Sequence, residues 1–281
     1  MQRRIMSGLR TVAVAAALVT AVCACDSGGA KGLMQQNLIS SKAYRLAIRT
    51  DGSITISTPT QTTDPISLPT EVVLVLRALE MYENGDMRVA FTFGTSNFGF
   101  GQGAAVLDQT FAARISPSGK LSEISGIDAI LAHVRALPKP GAPGELGDPE
   151  LMAPNLTNES LLALLNPVLE IWPSTPVAPG DTWTRDPIFN PGTKLYEHTT
   201  FTLKSTGSSV SSIAVESVFR RGIEPSSEHT GSATGEIQVA PSQGILRSSE
   251  TKTTMSFEAD GPEGLSRFTT DQTIYVTFVP L

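Results

Sequence analysis

Cysteine is almost absent from this 281-residue chain, and the only two, Cys23 and Cys25, stand close to the N-terminus. No cysteine is left for the rest of the chain, which excludes a disulfide framework and a cysteine-based zinc site there. Histidine is also scarce, because His133, His198 and His229 are the only ones, and their spacing fits no metal-binding motif. We therefore expect no metal and no other cofactor.

Basic residues are too few to give the chain a positive surface. The 21 Lys and Arg are outnumbered by 27 Asp and Glu, for a formal net charge of −6. An acidic chain lacks the electrostatic footprint of a nucleic-acid-binding protein and is not attracted to anionic lipid. We expect no nucleic-acid partner, and any membrane attachment must come from something other than surface charge.

Catalytic motifs are missing as well. The sequence has neither the G-x-S-x-G of a hydrolase nor the H-E-x-x-H of a metalloprotease. Ser249 to Lys252 spell S-x-x-K, but the two companion motifs of the penicillin-recognising enzymes are absent. Since no nucleophile can be matched with a base, we expect no enzymatic activity.

A glycine-rich stretch, "FGFGQG", covers residues 98–103. A phosphate-binding loop would need a following helix and a partner Lys or Asp, which the next residues do not supply. The stretch is therefore interpreted as a hairpin tip or bulge. Phe98 and Phe100 at such a tip are candidates for contact with lipid or with a ligand.

The N-terminus has the composition of an export signal. Arg3, Arg4 and Arg10 occur without any acidic residue, and an uncharged run follows from Thr11 to Val22. This order is typical of a secretory signal peptide, and the run is shorter than the roughly 20 residues that a permanent membrane span requires. We predict a signal peptide over residues 1–24.

The signal ends in Val22-Cys23-Ala24-Cys25, which resembles the lipobox of bacterial lipoproteins. The resemblance implies cleavage between Ala24 and Cys25, a diacylglyceryl group on the Cys25 thiol and acylation of the new amine. The alternative is ordinary cleavage that releases a soluble protein with a free Cys25. Lipidation is favoured because the free thiol would have no partner. Two or more acyl chains would hold the protein stably on a bacterial membrane, on its periplasmic or outer face.

Alternating apolar residues beyond the signal predict antiparallel strands. Residues 25–42 begin small and polar and are interpreted as a lipidated flexible tether, followed by a β-rich domain over residues 43–281. Hairpins are predicted at Asp51-Gly52, at Asn84-Gly85 and within residues 116–120, and further strands from Thr193 to the C-terminus.

Two helices interrupt the strands. An apolar face runs from Ile127 to Leu137, and a second helix is capped by Asn158 and bent or ended by Pro167. The fold class is therefore mainly β (α+β), with a curved antiparallel sheet and both helices packed on one face. Residues 113–124 resemble residues 237–249, which allows two lobes, 43–137 and 151–281, joined by a Pro/Gly-rich linker at 138–150. Chance explains this similarity equally well.

The stretch "PSTPVAPGDTW" at residues 173–183 resembles a motif of bacterial lipoproteins of unknown function, in which Pro, Pro-Val and Gly-Asp-x-Trp open a run of strands. The residues that match its end, Gly180, Asp181 and Trp183, are interpreted as a structural turn rather than a binding site. The arrangement is also similar to the Lol-type carriers and the mycobacterial lipid-binding lipoproteins. That resemblance implies a curved sheet around an apolar cavity.

Two functions follow from these patterns. The first is a membrane-anchored, non-catalytic binding or carrier module for an apolar small molecule in the cell envelope. The alternative is an envelope lipoprotein with a solid core that binds a protein partner through its surface. A cavity between sheet and helices would distinguish them.

Overall fold

A computed structural model describes residues 32–38, 42–67, 69–96, 106–137, 156–261 and 264–281 of the chain. The described residues form thirteen strands and two helices. In chain order these are β1 (Ala43–Ser57), β2 (Ile66–Ser67), β3 (Thr70–Met81), β4 (Met87–Phe93), β5 (Thr110–Ile115), β6 (Leu121–Ser125), α1 (Ile127–Ala136), α2 (Asn158–Leu169), β7 (Thr182–Thr184), β8 (Ile188–Asn190), β9 (Leu195–Ser205), β10 (Ser211–Arg220), β11 (His229–Ala240), β12 (Ile245–Gly261) and β13 (Gly264–Pro280).

All strands belong to one open antiparallel sheet, in the order β6-β5-β4-β3-β1-β13-β12-β11-β10-β9-β7, with β2 paired to β1 and β8 to β9. Strand β1 lies between β3 and β13 and so joins the first half of the chain to the last strand. The predicted class, a mainly β antiparallel fold with two helices, is confirmed. The division into two lobes stays a prediction, since residues 138–150 lie outside the described part and strands from both sides share the sheet.

Alternating burial explains why these segments form strands. In β4 the side chains of Met87, Val89, Phe91 and Phe93 are buried and those between them are more exposed. One face of the sheet and both helices contribute to a single hydrophobic cluster. The sequence period of two thus indicates correctly which face is buried.

Two of the three predicted hairpins are confirmed. Strands β3 and β4 are joined at Asn84-Gly85, where Gly85 has a φ of 85°. Strands β5 and β6 are joined through Gly119, whose φ is 90°. Both turns require a left-handed residue, which glycine supplies without steric cost.

The hairpin predicted at Asp51-Gly52 is wrong, because β1 continues through these residues as a single strand. Gly52 is paired with Gln272 of β13, and a Cβ at position 52 would lie 2.5 Å from the Asp271 carbonyl oxygen. The glycine therefore allows close approach of a neighbouring strand instead of a reversal of the chain.

Both predicted helices are confirmed, with small changes at the ends of α2. Helix α1 buries Ile127, Ile130 and Val134. The N-cap of α2 is Thr157 rather than Asn158, since the Thr157 side chain accepts a hydrogen bond from the Ser160 amide at 3.1 Å. Pro167 lies inside the last turn, and α2 ends at Leu169. Within the described residues, no helix has the length and apolar character needed to cross a membrane.

The prediction of a flexible tether is wrong for residues 32–38, which we call the bridging segment. Its alternate side chains, Met34, Gln36 and Leu38, are buried. The backbone N–H of Gln36 donates to the Pro117 carbonyl at 2.8 Å, and the backbone N–H of Asn37 donates to the Gly244 carbonyl at 2.9 Å. Buried side chains at every second residue fit this segment to the domain as an extended strand would.

Candidate ligand-binding cavity

A cavity of about 780 Å³ lies between α2 and one face of the sheet. We call this the inner face, and define it by Ile48, Val215 and Val276. The walls come from α2, from β1 and from β9 to β13. Exposed residues at its rim, among them Glu159 and Asn190, open it to solvent. The volume falls in the range of sites for small molecules, about 300–1,000 Å³.

The strand register arranges the inner face into rows that cross several strands. The first row is Ile48, Val276, Ser249 and Ile237; the second is Thr50, Ile274, Thr251, Gly235 and Val215; the third is Gly52, Gln272, Thr253, Ala233, Ser217 and Thr199; the fourth is Ile54, Thr270, Met255, Gly231, Phe219 and Glu197. The third row carries more polar side chains than any of the other three and is called the polar belt.

Small residues on β11 keep the middle of the inner face free of bulk. Gly231, Ala233 and Gly235 follow one another on this side of the strand. A Cβ at Gly235 would lie 2.3 Å from the Glu250 carbonyl oxygen, and one at Gly231 would lie 2.4 Å from that of Thr254. Larger residues would therefore collide with β12.

The side chains at one end of the polar belt are hydrogen-bonded, whereas two in the middle have no partner among the described residues. Ser217 donates a 2.8 Å hydrogen bond to Glu197, and its hydroxyl oxygen lies 2.8 Å from that of Thr199. Thr253 and Gln272, neighbours across β12 and β13, both line the cavity. Among the described residues, neither side chain has a hydrogen-bond partner. Two polar groups are thus available to a molecule in the cavity.

Arg185 is the single cation among the described residues that line the cavity. Its side chain is only 4% exposed and pairs with Glu197 at 2.8 Å. It also donates to the Pro167 carbonyl at 3.0 Å, near the C-terminal end of α2, where a positive charge is favourable. Its Nε–H finds no acceptor in the described part of the chain. The charge of Arg185 is therefore already compensated.

A buried acid lies just beyond α2. Glu170 is only 8% exposed. Burial raises the pKa of its carboxyl, while the nearby Lys120 and Arg185 act in the opposite direction. Lys120 itself pairs with Asp186 at 2.8 Å, which raises the pKa of Lys120 and lowers that of Asp186.

The residues of the Gly-Asp-x-Trp motif form a turn at the edge of the sheet. Gly180 has a φ of 95°, and the Asp181 carboxylate accepts from the Ala178 amide at 3.0 Å. Trp183 stacks on Phe201 with ring centroids 5.6 Å apart. The indole N–H of Trp183 donates to the Ile171 carbonyl at 3.1 Å. None of the three motif residues lines the cavity.

The other residues predicted from sequence lie outside the described part of the chain. These are the cleavage and lipidation residues Ala24 and Cys25 and the candidate contact residues Phe98 and Phe100. Within the described residues, no group of three or more His, Cys, Asp or Glu side chains is placed to hold a metal ion. Thr253, Gln272 and Arg185 were not predicted, and alternation in β12 and β13 is the only sequence signal that would have placed the first two on the inner face.

Fold and cavity together define a class: an open antiparallel β protein with a helix lying over a cavity on the sheet. A model for the family of unknown function DUF6263 matches residues 102–246, more than half of the chain, and the chain belongs to this family. The matched residues include α2, β10 and β11, which form much of the cavity wall.

Similarity beyond the family is weak. No curated protein sequence matches this chain. A solved structure described as lipid–protein interactions in lipovitellin is similar over 85% of this chain, at 10% sequence identity and a TM-score of 0.45. The match covers only 25% of the lipovitellin chain. At these values the similarity supports neither a shared fold nor a shared ligand.

Proposed function

We propose that this protein is a non-catalytic binding or carrier protein for an apolar ligand in the bacterial cell envelope. The observation that carries the proposal is the cavity between α2 and the inner face. Just over half of its lining residues are apolar, and most of the others are polar or charged. A cavity of this volume with a large apolar share can hold a small molecule that is mainly hydrocarbon and carries a polar group.

The shape of the sheet supports the same function. Gly52, Gly231 and Gly235 each occupy a position where a Cβ would collide with the neighbouring strand. Glycines of this kind permit a sheet to bend, which supports the predicted curvature around a ligand.

The proposed location rests on the N-terminal sequence. The signal peptide ends at Ala24, and the lipid on Cys25 would attach the protein to a bacterial membrane. Because the bridging segment packs on the domain, any tether is limited to the residues before it. A lipid-anchored domain with an apolar cavity could receive a ligand from that membrane or deliver one to it. The chemistry needs no catalytic group.

Filling the cavity tests the proposal. Ala163, half-buried on α2, lines the cavity, whereas Ala132 on α1 is exposed. We expect Ala163→Trp to weaken binding of the neutral fluorescent probe N-phenylnaphthylamine at least about tenfold, because the indole would occupy the probe's space. Ala132→Trp is the matched control and should bind like the parent.

Two results would contradict the proposal. One is equal probe binding by the parent and by a folded Ala163→Trp variant. The other is the absence of any apolar molecule in the mass spectrum of protein purified from its native membrane, together with no probe binding. The second result would favour the alternative, an envelope lipoprotein that acts through its surface.

A further inference from the structure

We infer that the ligand is an uncharged lipid whose hydrogen-bond acceptor lies in the interior of the molecule, with hydrocarbon on both sides, as in an ester that joins two chains. This inference rests on the proposed function and adds the chemical class of the ligand. It is carried by the two adjacent donors of the polar belt, which have large apolar side chains of the inner face on either side.

The two donors of the belt lie side by side. Thr253 and Gln272 are cross-strand neighbours that line the cavity, and within the described residues both are without partners. A carbonyl oxygen has two lone pairs and can accept from the hydroxyl and the amide together. Ser249, by contrast, is flanked by Ile237 and Val276, so its hydroxyl has an apolar neighbour on each side.

Large apolar side chains lie on both sides of the belt, next to the hydroxyls of Thr50 and Thr251 on one side and of Thr270 on the other. The apolar residues are Ile48, Ile274 and Val276 on the first side and Phe219 and Met255 on the second. Beyond Met255 the same face continues with half-buried aromatic rings, since Phe257 stacks on Phe268 at 5.2 Å.

The spacing suits an elongated molecule that lies along the strands. Residues on one face of a strand repeat at about 7 Å, so the four rows span about 20 Å. The belt is the third of these rows, and Phe257 and Phe268 continue the face beyond the fourth, so an acceptor bound at the belt lies in the interior of a ligand of this length. A lipid with its polar group at one end would leave one side of the belt unfilled, or leave the belt donors unpaired at the cost of their desolvation.

The charges of the cavity disfavour an anionic lipid. Arg185 is neutralised by Glu197, and the remaining charged residue of the described lining is Glu159 at the rim. A carboxylate or phosphate in this cavity would therefore be buried without a cation to compensate it. An uncharged ester carries no such penalty.

The test compares three probes on the folded protein: octyl octanoate, the straight-chain alkane of the same length, and palmitate. Each competes with N-phenylnaphthylamine for the parent and for Thr253→Val/Gln272→Met, which removes both donors at similar volume. Thr254→Val is the control, because Thr254 is exposed on the opposite face. Urea unfolding verifies that each variant is folded.

We expect the double variant to bind octyl octanoate about tenfold more weakly than the parent does, because two hydrogen bonds are lost. Its affinity for the alkane should equal that of the parent. The inference is overturned if both probes change by the same factor, or if affinity for the ester is unchanged. A second measurement uses the parent alone. If palmitate displaces the probe at a lower concentration than octyl octanoate does, the inference is also overturned. If none of the three displaces the probe from the parent, the inference is overturned, whereas the proposed function fails only if the probe itself does not bind or binds Ala163→Trp equally well.

Discussion

The indole N–H of Trp172 donates a 2.6 Å hydrogen bond to the side-chain carbonyl of Gln36, which stands 136 residues earlier in the chain. Both residues are buried. The backbone of the bridging segment also bonds the β5–β6 turn at Pro117 and the β11–β12 turn at Gly244. The bridging segment thereby connects two hairpins to the residues that follow α2.

Replacement of Gln36 by Leu should therefore destabilise the domain. The Trp172 N–H would remain buried without an acceptor, which costs about 1–3 kcal/mol. The control is Gln35→Leu, because Gln35 is exposed in the same segment. Urea denaturation measures the free energy of unfolding, and equal stability of the two variants would show that this hydrogen bond contributes nothing.

Two turn glycines should respond differently to Ala. Gly119 and Gly180 both have positive φ, which costs a residue with a Cβ about 1–2 kcal/mol. A Cβ at Gly119 would also collide with the Leu169 carbonyl, whereas nothing lies within 4 Å of one at Gly180. Gly119→Ala should lose about 1–3 kcal/mol more than Gly180→Ala because of this overpacking. Thermal unfolding monitored by circular dichroism measures the stability of both variants, and equal losses of stability would contradict the prediction.

The buried Glu170 should make stability depend on pH. Its raised pKa means that the folded chain holds the proton more tightly than the unfolded chain does. Stability is therefore lost as the pH rises from the ordinary glutamate pKa through the higher folded value. Glu170→Gln should be more stable than the parent above this window, and the two should converge at pH values below the ordinary glutamate pKa.

Urea unfolding over a range of pH values measures this difference for Glu170→Gln. The control is Glu159→Gln, which removes one exposed carboxylate from the start of the same helix. A gain for Glu170→Gln that is equally large at all pH values would contradict the assignment to the Glu170 proton.

The proposed anchor distinguishes the two cysteines. Cells fed labelled palmitate should incorporate it into the parent and into Cys23→Ser, because the resemblance to a lipobox implies acylation of the thiol at position 25. Cys25→Ser should carry no label. Label retained by Cys25→Ser, or absent from the parent, would exclude this mode of membrane attachment.

Local sequence signals were sufficient where the chain pairs with its own neighbours. The hairpins at Asn84-Gly85 and before Lys120 follow from alternating burial and from glycine in the turn. The same reasoning failed at Asp51-Gly52, where the partner strand is β13, at the far end of the chain. Pairing with a strand more than two hundred residues away in sequence outweighs the preference of this dipeptide for a turn.

The bridging segment shows a second limit of local reasoning. Small and polar residues before it suggested a tether, yet Met34, Gln36 and Leu38 find buried positions between two distant turns. Those positions are created only when the turns come together, so no local pattern could indicate them.

The sequence by itself determined the antiparallel strands, the two helices, the negative net charge and the expectation of export, because these depend on composition and on spacing within short windows. Only the tertiary structure decided that β1 pairs with β13, that α2 lies over the inner face, and that Thr253 and Gln272 meet beside each other in a cavity. The physical reason is that strand order and register follow from packing between residues far apart in the chain. A cavity is a property of that packing, and no single segment contains it.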